Sequence, residues 1–163
     1  MSIHIRRATE SDSFLILTFI TELAQFEGKA EEISATETDI KKSLFQEKQA
    51  EVLIAELDNK PVAFALFYPI YSTFSGGQNL FLEDLFVRKK YRGKGIGREL
   101  MKHLANIAIQ MGAKRIDWYV LESNENGAKF YKKLGAVPLM DRRTYRICTF
   151  NIKSLANGVI SDV

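Results

Sequence analysis

The sequence predicts an α/β fold, a mixed sheet with helices over its faces, and three observations carry that prediction. Short apolar or alternating runs recur at 3–8, 51–57, 62–68, 80–87 and 115–121, most of them bounded by turn residues. Apolar residues at three- and four-residue spacing mark helices among them, above all Leu15, Phe19, Leu23 and Phe26, and later Leu100, Met101, Leu104, Ala108 and Met111. The runs EVLIAEL and VAFALFY are separated by Asp58 and Asn59, a pair that favours tight turns, so they read as an antiparallel hairpin.

Taken in order, IHIRRA at 3–8 forms a first strand, and Thr9 followed by Asp12 resembles a capping box that starts the first helix. Gly28 ends it. Thr36 with Asp39 repeats the capping signal before a short helix holding Ile40, Leu44 and Phe45. After the hairpin, with Pro61 at its edge and Pro69 behind it, the stretch YSTFSGGQN (71–79) reads as a loop, either a cover over a site or a surface connection. LFLEDLFV at 80–87 is the most apolar strand. Gly112 ends the helix that follows, RIDWYVL (115–121) gives another strand, and 125–134 gives a helix closed by Gly135. Ala136 to Met140 and 145–152 (YRICTFNI) complete the sheet, and 157–163 is a tail. With no repeat, long linker or biased segment, 1–163 reads as a single domain.

Composition narrows the function. A chain of 163 residues with 46% hydrophobic and 26% charged residues has enough apolar material for one true core. The single cysteine, Cys148, forms no internal disulfide, and with only His4 and His103 as histidines there is no tight metal-ligand spacing. His103 falls on the polar side of its helix and reads as an exposed residue. No run approaches the roughly 20 apolar residues that cross a bilayer, and MSIHIRR lacks the apolar core of a signal peptide. The expectation is a cytoplasmic protein with no structural metal and no membrane partner. A net charge of +3 without aromatic platforms also argues against a nucleic-acid partner.

The chemistry concentrates in LEDLFVRKKYRGKGIG, residues 82–97. Glu83 and Asp84 interrupt an otherwise apolar strand, where period-two geometry sends the two side chains to opposite faces. A carboxylate inside such a strand needs a reason, because burying it without a partner is costly, and a raised pKa suits a base. Arg88, Lys89, Lys90, Arg92 and Lys94 lead into Gly93, Gly95 and Gly97 at the start of a helix. Strand, glycine loop and helix N-terminus in that order aim backbone N–H groups at one point, as a phosphate site requires. A dinucleotide fingerprint fits poorly, since the segment opens after four strands without the expected ribose-binding acid, and no GK[ST] ending makes it a Walker loop.

IRRATESD, LAQFE, LEDLFV with YRGKGIG, and NENGAKFYKKLGA, in this order, resemble the GCN5-related N-acetyltransferase (GNAT) superfamily. Its Arg/Gln-x-x-Gly-x-Gly/Ala signature matches Arg92, Gly95 and Gly97, and the chain looks most like the spermidine/spermine and thialysine acetyltransferase branch. The resemblance implies a mostly antiparallel central sheet with a splay after the cofactor strand, and acetyl transfer from acetyl-CoA to a primary amine. It implies that Arg92, Gly93, Lys94, Gly95, Ile96, Gly97 and Arg98 hold the pyrophosphate, and that Leu85, Phe86 and Val87 hold the pantetheine arm by their backbone. Asn124, Lys129 and Tyr131 belong to the cofactor side. Glu83 matches the carboxylate that accepts the amine proton, directly or through water, and Tyr131 the tyrosine that protonates the departing sulfur.

Glu27, Glu31, Glu32, Glu83, Asp84 and Glu122 are the candidates for attracting a cationic acceptor, with Glu27, Glu31 and Glu32 equally readable as solvated charge. A polyamine, diamine or lysine-like small-molecule amine fits, and a homodimer using strand 145–152 is implied. Ser123 departs from the tryptophan of the animal polyamine enzymes, as does the tail after Tyr145 from their aromatic and basic ending, so an aminoglycoside or a protein N-terminal amine stays open as acceptor; a protein or peptide acetyltransferase and a non-catalytic acetyl-CoA-binding domain are the separate alternatives.

Overall fold

The computed structural model describes residues 2–159, which divide into two compact units with the boundary between Glu122 and Ser123. In the first, five strands form one sheet in chain order: β1 (Ile3–Arg7), β2 (Glu51–Leu57), β3 (Lys60–Ser72), β4 (Gly77–Val87) and β5 (Ile116–Trp118). The pairs from β1 to β4 are antiparallel, and β5 lies parallel to β4 after the crossover helix α3 (Ile96–Gln110). This is the mixed, mostly antiparallel sheet with flanking helices that the resemblance implied.

Each face of the sheet has its own core. On one, Leu53, Ala65, Phe67, Leu80 and Leu82 pack with Ile96, Leu100, Leu104 and Ala108 of α3. On the other, Ile54, Phe64 and Phe86 meet Ile16 and Phe19 of helix α1 (Ser13–Phe26). Ile40 of the short helix α2 (Glu37–Ile40) and Leu44 of the π turn Lys41–Gln46 complete that core. The Phe19 and Phe64 rings stack at 5.2 Å. Burying each such side chain contributes about 1.5–3 kcal/mol.

The capping residues do what their spacing announced. Asp12 Oδ2 accepts the Thr9 N–H at 2.8 Å, and Arg6 grips the same carboxylate with two N–H groups at 2.8 and 2.9 Å. Asp58 and Asn59, with φ of 50° and 61°, form the two-residue turn between β2 and β3. At the far end of β4, Arg88 donates to both oxygens of Glu22, donates to the Pro61 carbonyl, and lies 4.6 Å above the Phe19 ring. That clamp fixes α1 against the strand where the glycine loop begins.

Several expectations need correction. Residues 71–79 are not a loop: β3 and β4 continue to Ser72 and from Gly77, pairing Tyr71 with Gln78 and Ile70 with Asn79. Asn79 holds this extension, fully buried, accepting the Lys114 N–H at 2.8 Å and donating to Ser75 Oγ. Pro69 is tolerated inside β3 because the pairing with β2 ends at Phe67, leaving that edge without a ladder to break. The predicted strand at 115–121 shortens to Ile116–Trp118. His103 is half-buried, its Nδ1 2.9 Å from the Glu99 carbonyl oxygen.

The second unit holds α4 (Glu125–Lys133) and α5 (Thr149–Ala156). The strand expected at 145–152 is absent, and so is the one expected at 136–140; the helix α5 begins within the former. A strand needs a neighbour for its backbone groups, whereas a helix closes its own, as Ile152 N–H does on the Cys148 carbonyl at 3.0 Å. No buried face selects alternation here, since Tyr145, Phe150 and Ile152 are all exposed. Of the expected tail at 157–163, residues 160–163 lie outside the described residues.

Candidate active site

The decisive local feature is a bulge in β4. Leu66 of β3 pairs with Asp84 and Phe67 with Leu82, so Glu83 has no opposite residue. Leu80 and Leu82 face the α3 core, and beyond the extra residue Leu85 and Val87 pack against that same core while Phe86 faces α1. Alternation therefore restarts at the bulge, and Glu83 and Asp84 both turn to the α1 side. The expectation of opposite faces is overturned, because period two holds only while the ladder is regular.

Both carboxylates have defined surroundings. Tyr68 of β3 donates its Oη–H to Glu83 Oε2 at 2.9 Å. The Tyr68 ring packs on Phe81 at 5.4 Å, and Phe81 meets Tyr119 edge-on at 5.2 Å. Asp84 is half-buried, and burial first, then the charges of Glu83 and Glu27, push its carboxyl up to about 7. Glu27 caps the C-terminus of α1. The strand thus carries a solvent-facing carboxylate held by a phenol beside a desolvated one that gains a proton near neutrality.

The ladder between β4 and β5 stops at Leu82 and Trp118, whereas β4 continues to Val87. The two strands part there, so the edge from Glu83 to Val87 has no strand neighbour among the described residues. Such an edge offers backbone N–H and C=O groups to a ligand. The Val87 carbonyl is the exception, since Arg92 Nε donates to it at 2.8 Å. The Arg92 guanidinium also lies 4.4 Å from the Phe26 ring and 5.7 Å from the Phe86 ring. Arg92 is therefore tied to β4 and α1 by its side chain.

Beyond Arg92 the loop reaches α3 through Gly93 and Gly95, at φ of 77° and 82°, a region that side chains resist. Gly95 is the N-cap, and the first bond of the helix runs from Glu99 N–H to its carbonyl at 3.0 Å. The N–H groups of Ile96, Gly97 and Arg98 precede that bond and have no partner within the helix, and Gly95 has no side chain to cap them. Gly97 lies in the first turn without positive φ, unlike the other two. Backbone donors with positive helix polarity suit a pyrophosphate, and the exposed Lys94 and Arg98 add charge.

In the second unit Asn124 is the N-cap of α4, its Oδ1 accepting the Gly127 N–H at 2.9 Å. Tyr131 is half-buried, in edge contact with Phe130 at 5.1 Å, and burial pushes its hydroxyl up to about 12, which keeps it protonated. Lys129 stands 3.9 Å from Glu125 on the exposed side.

The structure thus gathers Glu27, Glu83 and Asp84, and places Leu85 to Val87 and Arg92 to Arg98 in one continuous strand, loop and helix. Asn124, Lys129 and Tyr131 share α4. Glu31 and Glu32 sit exposed on the short helical turn Ala30–Glu32, and Glu122 is exposed at the end of the first unit. They are not the carboxylates that raise Asp84. Sequence reasoning missed Tyr68 and the placement of the extra residue at Glu83. A signal was present: the apolar spacing Leu80, Leu82, Leu85, Val87 steps from two to three across the acids, which marks an inserted residue.

Comparison with known proteins adds an independent line. The model of the acetyltransferase (GNAT) family matches residues 17–136. Thialysine N-epsilon-acetyltransferase of Sus scrofa is 35% identical over 149 residues, which is 86% of this chain and 87% of that protein. L-ornithine N5-acetyltransferase of Arabidopsis thaliana is 37% identical over 84 residues, 52% of this chain and 37% of that one. Among solved structures, an integron cassette protein from the mobile metagenome of V. cholerae superposes with a TM-score of 0.79 at 31% identity, covering 96% of this chain and 98% of the other.

Proposed function

Because this chain belongs to the acetyltransferase (GNAT) family, an N-acetyltransferase family whose acetyl donor is acetyl-CoA, we propose that its acceptor is the primary amine of a small cationic molecule: a polyamine, a diamine or a lysine-like amino acid. The observation that carries this reading is the joint orientation of Glu83 and Asp84 with Glu27 near them. Two carboxylates on one face, beside the rings of Tyr68, Phe81 and Tyr119, attract an alkylammonium by charge and by cation–π contact. The activities of the porcine and plant relatives, on thialysine and on ornithine, favour an amine carried on an amino acid.

In this reading acetyl-CoA supplies the activated acetyl group. The N–H groups of Ile96, Gly97 and Arg98 receive the pyrophosphate, with Gly93 and Gly95 shaping the loop and Lys94 adding charge. The open edge from Leu85 to Val87 pairs with the pantetheine arm. An ammonium has no lone pair for attack, so Glu83 accepts the proton that frees it. Tyr131, kept protonated by burial, donates to the departing sulfur, and Asn124 and Lys129 serve the cofactor side. One domain is proposed for the whole chain, supported by a family match that runs across the division after Glu122. A homodimer is proposed as well, for the second unit exposes Val137, Met140, Tyr145 and Phe150.

The test is acetyl-CoA-dependent release of CoA with a panel of thialysine, ornithine, lysine, spermidine, putrescine, an aminoglycoside and a peptide. Turnover led by thialysine, ornithine, lysine, spermidine or putrescine, and depressed at least about tenfold in Tyr131→Phe and Glu83→Gln, supports the reading. A peptide as the best acceptor, or full activity in both variants, removes it.

A further inference from the structure

We infer that Tyr68 is a positioning residue for the acetyl transfer, holding the Glu83 carboxylate in one orientation from the neighbouring strand so that its second oxygen faces the incoming amine. The inference rests on the reading of Glu83 as proton acceptor and adds a residue to it.

A glutamate at the extra position of a bulge lacks the cross-strand neighbour that would restrict it, and its three side-chain torsions leave the carboxylate free to sweep. Tyr68 supplies the missing constraint. Its ring has two torsions, is half-buried, and is seated on Phe81, its own cross-strand partner, which is in turn wedged by Tyr119. The hydroxyl thus comes from a fixed place and donates to Oε2 at 2.9 Å, leaving Oε1 for an ammonium or for a water on its way from one.

The bond also has an electrostatic purpose. Ionisable groups placed about this carboxylate include Asp84 beside it on β4, Glu27 at the end of α1, Tyr68 on β3 and Tyr119 just after β5. Two of them are carboxyl groups, whose charge opposes that of Glu83, whereas the Tyr68 O–H points its positive end at Oε2. Tyr68 cannot replace it as base near neutrality, because burial first and the bond to Glu83 second push the phenol up to about 12. It touches no reacting atom and acts through Glu83.

The experiment uses the full-length protein and the fastest acceptor of the amine panel, measuring kcat/KM against pH for Tyr68→Phe, Glu83→Gln and the double variant. Tyr68→Phe removes only the hydroxyl. It is expected to lower kcat/KM about tenfold near pH 7 and to move the acidic limb up by about one pH unit. In the Glu83→Gln background the same change is expected to alter kcat/KM by less than about twofold, since the partner is gone. An unmoved acidic limb in Tyr68→Phe, or an equal loss with and without Glu83, overturns the inference while leaving Glu83 as acceptor. Wild-type activity and pH profile in Glu83→Gln overturn the acceptor assignment itself. A structural role alone would lower the melting temperature without moving the limb.

Discussion

Asp84 and Glu83 share the α1 face of β4, and the charge of Glu83, together with that of Glu27, makes Asp84 harder to ionise than its half-buried setting already does. Adjacent in the chain and on one face, the two acids meet solvent differently, Glu83 exposed and Asp84 half-buried.

This fixes a dependence of stability on pH. The Asp84 carboxyl lies at about 7 in the fold against an ordinary 3.8. Between those values the unfolded chain has lost a proton that the folded chain keeps, so stability attributable to this group falls as pH rises from 4 to 7 and is level above. Asp84→Asn removes the penalty. It is expected to be more stable than wild type at pH 8, by roughly 1–3 kcal/mol after discounting for partial solvent contact, and equal to it near pH 3.5. Thermal unfolding at the two pH values checks the sign, and a variant less stable at pH 8 refutes it.

Asn124 and Gly127 form a coupled cap. A Cβ at Gly127 would stand 2.5 Å from Asn124 Nδ2 and 2.8 Å from its Cγ, so the asparagine folds over α4 only because position 127 is bare. Asn124→Ala should destabilise the helix by about 1 kcal/mol, and Gly127→Ala by a similar amount despite the higher helix propensity of alanine. The double variant should cost no more than the worse single one, because both remove the same bond. Additive losses in urea unfolding would show that the two residues act separately.

The legible part of the fold was that written by local chemistry. Thr9 with Asp12, Asp58 with Asn59, and the glycine before α3 each act through one or two backbone groups, and each stands where its spacing placed it. What depended on a distant partner was harder to read. Tyr71 to Asn79 has loop composition, yet it pairs across a hairpin through a buried Asn79 that answers to Lys114. Residues 145–152 alternate, yet they lack the neighbour that alternation needs. Tyr68 was invisible as a site residue for the same reason. Its relation to Glu83 requires the register, and the register includes a bulge.

Arg92 gives a contrast between motif and mechanism of packing. Its Nε bond to the Val87 carbonyl and its stacking on Phe26 and Phe86 tie the end of β4 to α1. Arg92→Ala is expected to cost about 1–2 kcal/mol in urea unfolding. Arg92→Lys should recover less than half of that, because an ammonium does not stack as a plane while donating sideways. Full recovery by lysine would mean that charge, and not the planar contact, is what the position supplies.

The three glycines of the loop separate conformation from ligand contact. Gly95 at φ 82° has open space where a Cβ would stand, with nothing within 4 Å, so its cost on substitution is the backbone conformation itself. Gly95→Ala should lose about 1 kcal/mol or more of stability and weaken CoA binding, because the N–H groups of Ile96 to Arg98 turn with the cap. Gly97 already has helical backbone inside α3. There alanine restricts the unfolded chain and favours the helix, for a gain of about 0.5–1 kcal/mol, with the CoA dissociation constant changed less than about threefold, under 0.7 kcal/mol. Calorimetric titration with CoA and thermal unfolding on both variants decide the matter. Weakened CoA binding in Gly97→Ala with unchanged stability would place the phosphate closer to the first turn than the loop conformation alone requires.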